Sequence, residues 1–225
     1  MKRVVLTMSF LMGLVACNAQ TSETKYYKTS SQGEEEVSKD KAKYSRTITQ
    51  NQDGSITTTR TNLKKNIVEN SETLKGEEPI GTWIYLRGNG PAEMDYNFEL
   101  IYSQEECPKE NMVPNIDNYF VDNPEQGYVA PKIPTDEESL SRFIGRNLVY
   151  PSKARRGGIQ GAVGVTFTIT KQGNTENVYV NKGVHLLLDK EAARVIRKLK
   201  FSKPPMVNGQ PVDVCITMPL RFKLA

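Results

Sequence analysis

The strongest constraint on the fold is a period of two near the end of the chain. Val212, Val214, Ile216, Met218, Leu220 and Phe222 alternate with more polar neighbours. A strand is the element that puts every second residue on one face, so this run reads as a half-buried strand. An earlier run does the same. Val163, Val165, Phe167 and Ile169 fall on one side, with Ala162, Thr166 and Thr168 on the other. Lys171-Gln172-Gly173-Asn174 turns that run into a further strand, with Val178 and Val180 inward. Between these strands and the last lies a helical stripe of Ala192, Val195, Ile196 and Leu199, with Asp189 as its expected cap. Upstream, Leu140, Phe143, Ile144 and Leu148 keep helical spacing behind a cap at Thr135 or Asp136. Pro151 suits the first turn of a short helix over Ser152–Arg156, closed by Gly157-Gly158. The fold class that follows is α+β. Residues 135–225 form a three-stranded antiparallel sheet with helices on one face, preceded by a small β-rich region.

The upstream part is less regular. "YSRTITQNQDGSITTTRTN" gives two strands around Asp53-Gly54, a strong hairpin signal. Gly81-Thr82-Trp83-Ile84-Tyr85, with Gly88 and Gly90, looks like a single MORN-type repeat; a generic antiparallel sheet with its only Trp in the core accounts for it equally well. Residues 44–102 are therefore read as a small β-rich region. Residues 103–134 hold Pro108, Pro114, Pro124, Pro131 and Pro134 among acidic residues. They read as a semi-extended linker that would span on the order of 100 Å if fully stretched. Residues 17–43 are polar, with bulk only at Tyr26, Tyr27 and Val37, and read as a solvated tether. Within them Glu34-Glu35-Glu36 reads as a solvated charge run.

At the start, Lys2 and Arg3 precede an apolar run from Val4 to Ala16, shorter than the roughly 20 residues a membrane span needs. The run ends in Leu14-Val15-Ala16-Cys17, which resembles the lipobox of bacterial lipoproteins. That resemblance implies cleavage before Cys17 and acylation of its thiol, with an ordinary secretory signal as the alternative. Acyl chains contribute about 0.8 kcal/mol per buried CH₂, so a multiply acylated Cys17 would anchor the chain to a membrane. Asn18, where an Asp would suggest inner-membrane retention, leans toward the outer membrane. The net charge of +4 hides an acidic part before Thr135 and a basic part after it. The basic end prefers acidic surfaces, and export argues against nucleic acid as the partner.

One further set of residues carries a resemblance. Tyr150-Pro151, Ala154-Arg155, Gly158-Ile159, Gly161, Val163, Val165 and Phe167 fall in the pattern of the C-terminal domain of TonB-family energy transducers. Leu188-Asp189-Lys190-Glu191-Ala192 and the closing Val214-x-Ile216-x-Met218-Pro219-Leu220-x-Phe222 do so as well. The likeness covers roughly residues 131–225. It implies a periplasm-facing module that grips the plug peptide of a TonB-dependent outer-membrane transporter by strand addition and passes on energy. There are departures: Val149 stands where some relatives have Gln, Thr135-Asp136 where similar lipoproteins often carry paired glycines, and Phe201 with Pro204-Pro205 replaces a Trp-x-x-x-Pro pattern. A full transducer also has a membrane helix that engages motor subunits, and this chain offers none, which puts that partner in doubt.

The residues support strand addition independently. Pro219 cannot donate to a ladder, which makes the last strand an edge strand, and Arg221 and Lys223 discourage uncontrolled pairing there. The expected contacts on it are Asp213, Cys215, Thr217 and Arg221. Ordering six peptide residues costs roughly 6–12 kcal/mol, while six backbone hydrogen bonds return roughly 3–9 kcal/mol. A second contact is therefore needed, and Tyr150, Pro151, Arg155 and Arg156 are the expected place for it. The alternative is that Tyr150 plugs the sheet's end and the arginines are simply solvated. The remaining features carry less. Cys107 and Cys215 can pair in an oxidising envelope, although one lies in the linker and the other in a strand. His185 has no metal-ligand spacing around it. No nucleophile–base set or phosphate loop is present, so neither an enzyme nor a cofactor is expected.

Overall fold

The computed structural model describes residues 20–30, 33–87, 90–105, 107–108, 113, 118–134 and 139–224. Cys17, the apolar leader and the expected cap residues Thr135 and Asp136 lie outside them.

Two strand-rich parts meet on one helix. The first is an antiparallel meander of strands β1 (Thr21–Ser30), β2 (Gly33–Glu36), β3 (Tyr44–Gln50), β4 (Ile56–Asn62), β5 (Ile67–Lys75), β6 (Glu78–Arg87) and β7 (Gly90–Asp95). Their order in the seven-stranded sheet is β2-β1-β3-β4-β5-β6-β7. Asp53-Gly54 turns β3 into β4 as its sequence predicts, with Gly54 at φ +80° and the Asp53 carboxylate accepting the Ser55 N–H. Thr21–Ser30 and Gly33–Glu36 differ from the tether reading, because they are strands. Their order comes from neighbours, not from a deep core. Tyr27 stacks on Tyr44 at 5.7 Å, Thr24 bonds Thr47, and Glu34 reaches both Arg46 and Arg60. Glu34-Glu35-Glu36 is accordingly ion-paired, with Lys28 on Glu35 and Lys25 on Glu36. Such cross-strand pairs add up along a ladder even where little apolar area is buried.

The second part begins with a two-residue strand, β8 (Tyr128–Val129), and the helices α1 (Leu140–Asn147) and α2 (Ser152–Arg156). Strands β9 (Gly161–Ile169) and β10 (Thr175–Lys182), helix α3 (Leu186–Arg197), the short β11 (Met206–Val207) and β12 (Gln210–Pro211), and strand β13 (Val214–Phe222) complete it. The three-stranded antiparallel sheet β10-β9-β13 carries α3 on one face, the fold class read from the sequence. Helix α3 starts earlier than expected. His185, not Asp189, is its cap, with Nδ1 accepting the Leu187 N–H, while Asp189 accepts the N–H groups of Val184 and His185 from inside the first turn. Every residue from Leu187 to Ile196 is buried, because the helix is covered twice. The three-stranded sheet lies on one side. On the other are Trp83 and Tyr96, whose rings lie 4.6 Å apart, and Glu78, bonded to Lys190.

Residues 103–134 differ from the spacer their prolines suggest. Ile101 and Ser103 bond Val180 of β10, Cys107 is disulfide-bonded to Cys215 of β13, and β8 pairs with β11. Tyr128, Ala130 and Ile133 are buried. The described residues of this segment strap the sheet, held by side chains and by the Cys107–Cys215 bond that the sequence allowed. The disulfide closes a loop of sequence separation 108, and a loop of that order restricts the unfolded chain at a cost of about 2–5 kcal/mol when the bond is removed. Cys107→Ser is expected to lower the melting temperature by at least several degrees, and reductant should bring the wild type down to the variant's level. A melt that ignores reductant would exclude the bond from the folded protein.

Candidate functional site: the open edge of the last strand

Which way each backbone group of β13 points follows from the ladder. Val180 donates its N–H to Ile101, away from β9. Its opposite number Val165 must then turn toward β13, where it faces Met218. By alternation, Val214, Ile216, Met218, Leu220 and Phe222 bond β9, and Cys215, Thr217, Pro219 and Arg221 turn their backbone groups outward. Pro219 therefore sits at a position where a donor is not needed by the sheet. Among the described residues no backbone hydrogen bond reaches the outer edge of β13, whereas the outer edge of β10 is covered by Ile101–Ser103. One edge is closed and the other open.

The expected contact residues divide along this strand. Thr217 and Arg221 are exposed, and the Thr217 hydroxyl lies 2.7 Å from that of Thr166. The Cys215 side chain is buried in the disulfide, so that what it can offer a partner is its backbone. Asp213 accepts the Lys171 N–H at 2.7 Å and so braces the turn between β9 and β10. Beside Cys215–Met218 runs a groove of about 620 Å³ lined by Glu105, Tyr119, Phe120 and Leu140 among others. Sequence reasoning missed this wall, since its residues are distant in the chain.

Tyr150, Pro151, Arg155 and Arg156 occupy a different place. The Tyr150 ring stands edge-on to Phe222 at 5.6 Å and its hydroxyl donates to the Ile159 carbonyl, so it plugs the end of the sheet. Pro151 is buried and Ala154 points inward, leaving Arg155 and Arg156 exposed. These arginines border a cleft of about 750 Å³ whose far wall is the seven-stranded sheet, at Glu34, Arg46, Arg60 and Glu72. The Ser152 N–H donates to Glu72 and Lys153 approaches Glu77. Cleft and groove share no lining residue.

The approach to this loop is pinned by a buried ion pair. Glu191 is wholly buried and accepts from Arg194, from the Val149 N–H at 2.6 Å and from the Tyr96 hydroxyl, while Arg194 also bonds the Asn147 carbonyl. Burial pulls the Arg194 pKa down, but the Glu191 carboxylate outweighs it and holds it above its ordinary value. Burial and the same carboxylate push the Tyr96 phenol well up, so it stays a donor. This cluster ties α3 both to Tyr96, just past β7, and to the segment that joins α1 to Tyr150.

With that geometry in place, the comparisons with known proteins are decisive for the second part. Residues 146–224 match the family model of the Gram-negative bacterial TonB protein C-terminal. They form a TonB C-terminal domain. The match takes in α2, β9, β10, α3 and β13, and leaves the seven-stranded sheet and the strap outside the TonB domain. Protein TonB of Vibrio cholerae serotype O1 is 38% identical over 77 residues, which is 33% of this chain and 31% of that protein. The chain thus spans about a third of the length of this curated TonB. No solved structure matches. The TonB family is one of non-enzymatic energy transducers of the cell envelope. Among the described residues no helix is long and apolar enough to cross a membrane.

Proposed function

We propose that this is a cell-envelope protein whose TonB domain binds an extended segment of a TonB-dependent outer-membrane transporter, adds it as a strand along β13, and serves energy-dependent transport. The observation that carries the reading is that, among the described residues, no backbone hydrogen bond reaches the outward groups of Cys215, Thr217, Pro219 and Arg221, whereas the opposite edge of the sheet is engaged at Val180. Strand addition satisfies such groups directly. Arg221 and Lys223, both exposed, keep two copies from pairing through the same edge. Anchoring through acylated Cys17 belongs to the same proposal and rests on the sequence from Leu14 to Cys17. Arg155 and Arg156 supply a second, electrostatic contact for an acidic surface of the partner.

A photoreactive residue at Thr217, and separately at Arg155, should capture an outer-membrane transporter in cells. Capture at Thr217 of other envelope proteins, and never of a transporter, would replace this reading with that of a strand-adding structural adaptor.

A further inference from the structure

Resting on that reading of β13 as the docking edge, we infer that the strap makes the edge selective: the groove beside Thr217 takes a bulky apolar side chain from the incoming strand. One wall of this groove is Cys215–Met218 of β13, where among the described residues no backbone hydrogen bond reaches the outward groups of Cys215 and Thr217. Facing it, Tyr119, Phe120 and Leu140 form an apolar patch, flanked by the polar Gln104, Glu105, Asn118 and Asn181. An occupant has to satisfy both. It must offer backbone donors and acceptors at strand spacing and, beside them, a large apolar group. An extended polypeptide does so; a lipid lacks the donors and a sugar lacks the apolar bulk.

Register places the selected residue. A residue bonded across from Thr217 carries its side chain on the same face as the Thr217 side chain. That is the face away from α3, shared by Thr166 and Cys215, and it is the face the strap crosses. Tyr179, also on that face, donates its hydroxyl to the Glu105 carbonyl, and Cys107 is bonded to Cys215. The wall is firmly set. Phe120 stacks on Phe201, the Tyr119 ring meets Tyr128 edge-on, and the disulfide fixes the strap to the docking strand itself. Strap and groove wall lie upstream of the matched residues 146–224, so this selectivity is a property of the present chain and is not implied by its TonB domain.

A displayed library of random seven-residue segments, selected on the purified oxidised protein, tests this. Selected segments should carry Leu, Ile, Phe or Met at one fixed position. Replacing that residue by Ala in a synthetic copy should weaken binding roughly tenfold to a hundredfold, the scale of burying one large apolar side chain. Phe120→Ala, and independently Leu140→Ala, should bring the ratio close to one. Thermal melts identify a variant that fails to fold, and the other variant then decides. Segments that bind through β13, lose binding in Thr217→Pro, and show no positional apolar preference would overturn the pocket and leave the docking edge standing. Failure to select any segment, or binding that survives Thr217→Pro, would overturn the docking edge and the pocket with it. Displacement of the segments by fatty acid, or by a second copy as concentration-dependent dimers, would assign the groove another occupant and overturn the inference.

Discussion

Replacing Glu191 by alanine is expected to destabilise the protein by about 3–5 kcal/mol, a large part of the total stability of an ordinary domain. The substitution leaves the Arg194 guanidinium buried without its countercharge, and the Val149 N–H and Tyr96 hydroxyl lose their acceptor. Both consequences are costly inside a protein, since an unpartnered buried charge or donor loses its interactions with water and gains nothing in return. Glu191→Gln keeps the shape and part of the hydrogen bonding and should fall between the two. Glu191→Leu combined with Arg194→Met removes the charges together and should recover the part of the loss due to the unpaired charge, because replacing a whole buried pair costs far less than breaking one, but not the part due to the Val149 N–H and Tyr96 hydroxyl. Urea denaturation of the three variants checks this order. A Glu191→Ala protein within about 1 kcal/mol of wild type would mean that water reaches the pair.

Thr217→Pro is expected to weaken partner binding roughly tenfold to a hundredfold while the fold survives. The Thr217 N–H points away from β9, so proline removes a donor that the folded sheet does not use, as Pro219 already does two residues on. Within the protein the loss is the hydroxyl pair with Thr166, about 1 kcal/mol. In the complex, a partner carbonyl is left buried without its donor, which is the larger cost. Thr217→Val separates the two effects: it loses the hydroxyl pair but keeps the backbone donor, and should bind as wild type does. Titration of the captured partner's segment against both variants reads the difference. Equal weakening by Val and Pro would place the interaction in the side chain and not in the ladder.

The last strand was legible because its alternation is long and because Pro219 can occupy only an outward-facing position in it. The strand order and the helix between the strands were legible for the same reason: each buries a periodic face. Other features depend on what lies next to a residue in space. Glu191 reads as one more charged residue on a helix, and becomes a buried hub only when the seven-stranded sheet covers the second side of α3. Thr21–Ser30 and Gly33–Glu36 have too little apolar bulk to order alone, and are strands because Tyr44, Arg46 and Arg60 stand beside them. The cysteine count already allows Cys107 to pair with Cys215, as it does, but nothing local in residues 103–134 says that Tyr128 is buried. Tyr150 and Arg155 are five residues apart in the chain, yet the ring packs edge-on to Phe222 at the sheet end while the arginine borders the cleft.

Amide hydrogen exchange with the partner segment bound tests the central claim, that the partner becomes a strand on β13. The account predicts new protection at Cys215, Thr217 and Arg221, with Val180, already bonded to Ile101, unchanged. Saturating binding with no gain along β13, or with protection confined to Ser152–Arg156, would contradict it.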